Sequence, residues 1–234
     1  MRFVEDISRF YGTGEKNKQG QTLEEYLDGY DPRQFDLPSN TTDVIVVRCE
    51  EELKNWNQKL EVLLIKRANH PGIGFWATPG GFVEMREHLD DGAARELEEE
   101  TGIQNLPLVQ MATWGNYDRD PRWRVITTSY LALVEGDLAV QAGDDAADAL
   151  WFRVELEQEH DEIEKNTNVE VWNLKLTNAE NKISVGAKVS ITHSGHKLLD
   201  QKQYQIVEND GLAADHGCLI TQALLYLKEK LTIM

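Results

Sequence analysis

Residues 81 to 103 read Gly-Phe-Val-Glu-Met-Arg-Glu-His-Leu-Asp-Asp-Gly-Ala-Ala-Arg-Glu-Leu-Glu-Glu-Glu-Thr-Gly-Ile. The stretch joins a glycine-rich loop, Pro79-Gly80-Gly81, to a run of good helix formers from Ala93 to Glu100. Asp90 or Asp91 is placed to cap the helix at its start. Gly102 is placed to end it in the left-handed conformation. Helical neighbours three and four positions apart share a face. Glu96, Glu99 and Glu100 therefore stand together, while Ala93 and Leu97 turn toward a core.

Three clustered carboxylates repel one another, and a solvated acidic face is the ordinary outcome of such a run. The loop ahead of the helix changes that reading. Glycine permits close approach of bare backbone. A backbone carbonyl together with carboxylates makes a hard-oxygen donor set, suited to Mg²⁺ or Mn²⁺. Arg95 stands four residues before Glu99, a pair that by itself is worth about 0.2–0.5 kcal/mol.

The chain has 234 residues and a formal net charge of −17. An acidic protein repels a diphosphate unless cations intervene, and the same charge argues against nucleic-acid or anionic-membrane partners. Cys49 and Cys218 lie too far apart for a disulfide framework or a metal spacing. A reducing cytoplasm is the simplest setting. No run has the apolar length of a membrane span, and the acidic start Met1-Arg2-Phe3-Val4-Glu5-Asp6 lacks a signal-peptide core.

Residues 1–40 form a polar N-terminal extension with scattered aromatics, among them Tyr30 and Phe35. Thr22 and Glu25 have the spacing of a capping box, and Pro32 and Pro38 break regular structure. Strands are predicted at Asp43 to Val47, Glu61 to Ile65, Val109 to Trp114, Val125 to Glu135 and Asp148 to Phe152. The acidic helix packs on that mixed sheet, which places the fold in the α/β class. An acidic stretch, Glu155 to Glu164, follows. Val169 to Leu176 and Lys182 to Thr192 then read as a hairpin around Asn178-Ala-Glu-Asn181. Ile183, Val185, Ala187, Val189 and Ile191 alternate strictly, so one face is buried. The hairpin covers the site, builds a dimer, or merely extends the sheet. His193 and His196 flank Ser-Gly, the mark of an exposed turn rather than of a metal pair.

Gly81, five residues, Glu87, seven residues, Arg95-Glu96-Leu97, one residue, Glu99-Glu100, one residue, Gly102-Ile103 fills every fixed position of the Nudix box. The segment resembles the active site of Nudix hydrolases. Flanking motifs narrow the resemblance to the ADP-ribose pyrophosphatase-like branch, which also includes regulators of NAD metabolism. These motifs are Tyr30-Asp-Pro32 with Leu37-Pro-Ser-Asn-Thr-Thr-Asp43, Thr78-Pro-Gly-Gly-Phe-Val-Glu84, Asp118-Arg-Asp-Pro-Arg-Trp-Arg124, Gly143-Asp-Asp-Ala-Ala-Asp-Ala-Leu-Trp-Phe152 and Ala214-Asp-His216.

The resemblance implies an α/β/α sandwich spanning residues 41–234, with an insertion at about 153–211. It implies that the Gly80 carbonyl and the carboxylates of Glu96, Glu99 and Glu100 bind one to three divalent ions. Arg95 orients those carboxylates, Glu87 ties the loop to the helix, and Glu96 is a ligand or the water-activating base. The implied chemistry is hydrolysis of a phosphoanhydride, with a metal-bound water as nucleophile and a carboxylate taking its proton.

ADP-ribose, cleaved to AMP and ribose 5-phosphate, is the expected small-molecule substrate. Another nucleotide sugar or a dinucleotide is the rival, and a homodimer is the expected assembly. A non-catalytic sensor of such a ligand is the other function class. Related regulators carry a winged-helix DNA-binding domain after the Nudix domain, whereas here a single helix, Asp215 to Lys230, is expected to close the chain. Arg67 or Arg122 is expected at the diphosphate, and one of Tyr30, Phe35 and Trp123 against the adenine.

Overall fold

The computed structural model describes residues 3–140, 146–164, 167–196 and 199–233. The chain divides into two compact units, one up to Leu37 and one from Pro38 onward.

In the first unit, α1 (Leu23–Gly29) begins with the capping box expected from sequence: Thr22 accepts from the Glu25 amide, and the Glu25 carboxylate accepts from the Thr22 amide at 2.8 Å. Tyr26 and Tyr30 stack at 5.9 Å between ring centroids. Tyr30 and Phe35 are exposed.

The second unit is built on one mixed sheet. Its strands are β1 (Ser39–Cys49), β2 (Leu60–Arg67), β3 (Trp76–Ala77), β4 (Gly80–Phe82), β5 (Val109–Trp114), β6 (Val125–Glu135), β7 (Ala146–Glu164), β8 (Thr167–Asn178), β9 (Ile183–His196) and β10 (Leu199–Asp210). They run in the order β10-β9-β8-β7-β2-β1-β6-β5, with β3 on β2 and β4 on β1. The pairing of β1 with β6 is parallel over eleven residues, and the other ladders are antiparallel.

Two helices cover opposite faces, and the side-chain alternation of β1 shows how. Val44 and Val46 join Ala93 and Leu97 of α2 (Leu89–Thr101), together with Leu63 and Tyr130. Ile45 and Val47 join Leu219, Ile220 and Leu224 of α3 (His216–Ile233). A strand buried on both faces reads as a continuous apolar run, which is what Val44-Ile-Val-Val47 is. Leu97 is 2% exposed, and burying a leucine that completely contributes about 1.5–3 kcal/mol. The layering is the α/β/α sandwich expected from sequence.

α2 starts two or three residues earlier than its capping signal suggested. His88 occupies the N-cap, without a side-chain cap bond, and Asp90 and Asp91 lie in the first turn. The reason is tertiary: Asp90 accepts a 2.6 Å hydrogen bond from the buried Tyr130 hydroxyl, and acidic residues in the first turn favour the helix dipole. Gly102 ends the helix at φ 73°, its amide bonded to the Glu98 carbonyl at 2.8 Å.

The hairpin predicted around Asn178 to Asn181 is present as β8 and β9. Val185, Ala187, Val189 and Ile191 face the core under α3. β7 runs straight through the acidic stretch, and β10 follows β9, so four long antiparallel strands extend the sheet. The exit from β10 returns to the centre: the Trp76 amide bonds the Gly211 carbonyl at 2.9 Å and the Ala213 amide bonds the Trp76 carbonyl at 2.8 Å. His193 bonds Glu170 at 3.0 Å. The His196 side chain and residues Gly143 to Asp145 of the Gly143–Phe152 motif lie outside the described residues. Among the described residues, no helix is long and apolar enough to cross a membrane.

Candidate active site

The Thr78-Pro-Gly-Gly-Phe82 segment threads between β1 and α2, and glycine is required at two of its positions. Gly80 has φ 154°, and a Cβ there would lie 2.0 Å from the Thr42 carbonyl oxygen. A Cβ on Gly81 would lie 2.3 Å from Oε2 of Glu96. The bare backbone therefore lies directly on the carboxylate face, as its glycines predicted.

Arg95 organises the other side of that face. Its guanidinium donates to Glu87 at 2.8 and 3.0 Å, to Glu96 at 2.7 Å, to Glu99 at 2.9 Å and to the Phe82 carbonyl at 2.9 Å. A planar fork satisfied by three carboxylates and a carbonyl is held in one orientation. Glu87 also accepts the Glu84 amide at 3.0 Å. Arg95 and that amide hold the Glu87 carboxyl down at about 2.

Glu100 differs. It accepts the Gly80 amide at 2.8 Å, and no guanidinium or ammonium reaches it at ion-pair distance among the described residues. Burial pushes its carboxyl up to about 8, against the opposing Gly80 hydrogen bond, and the charges of Glu96 and Asp43 push the same way. Burial likewise raises Glu96, with Arg95 opposing.

Glu96, Glu100, Gly80 and Gly81 line an open cleft of about 570 Å³. Arg67 and Arg122 line it too, as do Phe75, Phe82, Pro121, Arg119 and His216. Arg67 donates to the Pro71 carbonyl at 2.8 Å. Arg122 is forked on Asp120 at 3.0 and 2.7 Å, and its guanidinium stands 5.3 Å over the Phe82 ring. Trp123 is exposed and does not line the cleft. Tyr30 and Phe35 belong to the separate N-terminal unit. Glu99 turns to Arg95 with its side chain 58% exposed, and is not part of the lining.

The donor set fits a divalent cation. Two half-buried carboxylates on adjacent turns of α2, one of them without a cationic partner at ion-pair distance among the described residues, meet glycine backbone, and that set suits a hard cation. Gly80, Glu96 and Glu100 would hold it. Among the described residues, no three acidic, histidine or cysteine side chains already converge on one point. Glu99 would have to leave Arg95 to join them.

Sequence reasoning did not single out the polar cluster opposite α2. Asp43 accepts from Thr127 at 2.6 Å and from Thr78 at 3.4 Å. Arg119 is forked on Asp215 at 3.0 and 2.9 Å and stands 3.9 Å from Asp43. The Thr78 amide donates to Nδ1 of His216 at 3.1 Å. All of these side chains are buried or nearly so, and Asp43, Thr78, Arg119 and His216 line the cleft. Their signal lay within the Leu37–Asp43, Thr78–Glu84, Asp118–Arg124 and Ala214-Asp-His216 motifs, as polar residues whose partners sit in other segments.

Comparison with known proteins agrees with this geometry. The chain is 43% identical over 95 residues to the ADP-ribose pyrophosphatase of Methanocaldococcus jannaschii, covering 39% of this chain and 54% of that protein. It is 33% identical over 132 residues to the ADPR responsive transcriptional repressor NtrR of Acinetobacter baylyi, covering 56% and 50%. The chain thus spans about half the length of these curated relatives. Among solved structures, it resembles a MutT/nudix family protein from Enterococcus faecalis, with TM-score 0.62, 28% identity, and coverage of 97% of this chain and 76% of that one. It also resembles the NUDIX domain of Shewanella oneidensis NrtR complexed with ADP ribose, with TM-score 0.58, 27% identity, and coverage of 88% and 99%. The sequence profile of the NUDIX domain matches residues 40–170, more than half of the chain. This chain belongs to the Nudix family.

Proposed function

We propose that this protein is a Nudix pyrophosphohydrolase that splits ADP-ribose into AMP and ribose 5-phosphate with Mg²⁺ or Mn²⁺. The observation that carries the proposal is the meeting of Glu96, Glu100 and the Gly80-Gly81 backbone in one cleft that also presents arginines. The likeness to an ADP-ribose pyrophosphatase and to an ADP-ribose-bound Nudix domain supports the substrate.

A divalent cation held there would neutralise the diphosphate and acidify a water. The chain's own residues do the rest. Glu96 or Glu100, whose carboxyls burial raises in the metal-free protein, would take the proton of that water. Arg95 keeps Glu96 and Glu99 in place. Arg67 and Arg122 are the fixed cations for the diphosphate. The unit from about residue 41 to the end carries this site, with residues 153–211 as an insertion. The free, buried thiols of Cys49 and Cys218 suit a reducing, cytoplasmic setting. A homodimer is the proposed assembly.

The NtrR likeness motivates a second reading, a sensor that binds ADP-ribose without turnover. One experiment separates the two. Purified protein is offered ADP-ribose, NADH, diadenosine polyphosphates and deoxynucleoside triphosphates with Mg²⁺ or Mn²⁺, and products are resolved by chromatography. ADP-ribose consumed fastest supports the hydrolase. ADP-ribose bound in calorimetry but left intact supports the sensor.

A further inference from the structure

We infer that His216, the first residue of α3, is a positioning residue that fixes the metal-binding loop through its contact with Thr78. The inference deepens the reading of the Glu96, Glu100 and Gly80 face as a divalent metal site, and rests on that reading.

The loop is tied at successive backbone positions. The Thr78 amide donates to His216 Nδ1 at 3.1 Å. The Pro79 carbonyl accepts from the Val44 amide at 2.8 Å. The Gly80 amide donates to Glu100 at 2.8 Å, and the Phe82 carbonyl accepts from Arg95 at 2.9 Å. Val44 lies in the central strand, and Glu100 and Arg95 belong to the metal face itself. Of these ties, His216 is the one that comes from α3 on the opposite face of the sheet from α2, 138 residues away in sequence. A backbone N–H can only donate, so Nδ1 is bare and the ring proton sits on Nε2. That nitrogen faces Asp43 at 3.9 Å. The Thr78 hydroxyl stands 2.8 Å from the same Nδ1.

The histidine is itself held. Arg119 grips its neighbour Asp215 with two bonds, and the His216 amide donates to the Ala213 carbonyl at 3.0 Å. Thr78 and His216 are both buried, at 1% and 8% exposure. Water therefore does not readily replace Nδ1 as the acceptor for the Thr78 amide. A displaced Thr78 carries Gly80 with it, because Pro79 between them has a ring-fixed φ. The contact also explains why the inserted strands can be long without loosening the site. The chain leaving β10 is laced to Trp76 and then delivers His216 to the loop.

The test compares three variants. His216→Asn retains an acceptor near the place of Nδ1, His216→Gln moves it to the place of Nε2, and His216→Leu removes it. Three readouts are taken: Mn²⁺ affinity by paramagnetic resonance, hydrogen exchange of the peptide spanning residues 78 to 82, and ADP-ribose turnover. Loss of a group that orients metal ligands costs 10–100-fold in metal affinity or activity. The Leu and Gln variants should bind Mn²⁺ about 10–100-fold more weakly, exchange faster at the loop and lose kcat with KM little changed. The Asn variant should stay within about threefold of the parent.

A Gln or Leu variant with native melting temperature, Mn²⁺ affinity and loop exchange overturns the inference. So does an Asn variant as impaired as the Leu variant. Should the Leu variant fail to fold, the Gln variant carries the test. Should the parent bind Mn²⁺ yet leave ADP-ribose intact, the substrate reading fails alone, and affinity and exchange still judge His216. Should the parent bind no metal, the metal-site reading fails, and loop exchange alone decides whether His216 holds the loop.

Discussion

Glu100 accepts the backbone amide of Gly80 at 2.8 Å across twenty residues of sequence, and that single bond couples the end of the acidic helix to the glycine loop. It is also an uneasy bond. Burial raises the Glu100 carboxyl to about 8, so in metal-free protein the folded state holds this proton more tightly than the unfolded chain does. The sign follows: stability is greatest below the unfolded value of roughly 4.3 and falls as pH rises toward 8. Glu100→Gln keeps the oxygen that accepts the Gly80 amide and removes the charge. In excess chelator at pH 8 the variant should melt several degrees above the parent, and at pH 4.5 the two should coincide. Turnover with Mg²⁺ should drop by orders of magnitude, since a metal's charge stabilisation is worth several kcal/mol. Scanning fluorimetry and a turnover assay check both, and a variant with near-parental turnover would sink the role given to Glu100.

Gly81 tests the close approach of loop to helix. Its backbone does not need glycine's conformational freedom, but a Cβ would lie 2.3 Å from Glu96 Oε2. The obstructed atom is the end of a flexible side chain, so Gly81→Ala should cost stability only about 1 kcal/mol or less. The carboxylate must nevertheless swing away from the loop. Turnover and Mn²⁺ affinity should each fall at least about tenfold. A variant that melts early but turns over normally once folded would show that the glycine serves packing alone.

Glu87 and Arg95 make a prediction in acid. Arg95 and the Glu84 amide hold Glu87 at about 2. A lowered carboxyl contributes stability that is present above its unfolded value, roughly 4.3, and lost as pH falls through the folded one. Glu87→Gln should therefore weaken the protein at neutral pH and make no difference near pH 2, as read by denaturant titration across that range. It should also reduce kcat, because the amide leaves Arg95 one acceptor where Glu87 offered two charged ones, which loosens its orientation toward Glu96 and Glu99. An equal stability difference at both ends of the pH range would falsify the ion-pair account.

Much of this architecture was legible in the chain because local rules and tertiary structure agree there. Asp43 to Val47 read as a strand and Gly102 as the end of a helix, and both readings hold; that the strand is buried on both faces is what the structure adds. The box segment carries its carboxylates at fixed helical spacing, so Glu96 and Glu100 were readable as cleft residues, whereas the pairing that draws Glu99 to Arg95 and off the lining was not. β10 was not readable. Leu199-Asp-Gln-Lys-Gln-Tyr-Gln-Ile is an edge strand whose inward positions hold few large apolar residues, with Tyr204 buried and Ile206 half-buried. Its propensity is weak, and pairing with β9 decides its state. The continuation of β7 through Glu155 to Glu164 was hidden for the same reason. Asp43, Arg119, Asp215 and His216 escaped notice because their partnership is made by the fold. They are separated in sequence by up to 173 positions, counting from 43 to 216, and each has an ordinary polar neighbourhood.

Two further aromatics are candidates for the base-binding role. Trp123 is outside the cleft lining, whereas Phe75 and Phe82 line it while 45% and 47% exposed. An aromatic left that open on a cleft wall is not holding the core together. Phe82 follows the glycine pair directly and stands two strand positions from Gly80, about 7 Å along the chain, a span suited to a nucleoside attached to a diphosphate. Arg122 lies over its ring at 5.3 Å, so a phosphate drawn to that guanidinium brings the attached nucleoside close to Phe82. Base stacking on an aromatic supplies roughly 1–3 kcal/mol, which acts alike on ground and transition states and so appears in KM. Phe82→Ala should raise the KM for ADP-ribose about tenfold and leave kcat within about threefold, with Phe75→Ala showing the same pattern if both faces of the base are gripped. Phe82→Tyr should restore binding. Steady-state kinetics on the four proteins decides the matter, and an unchanged KM in both alanine variants would return the search to Tyr30 and Phe35.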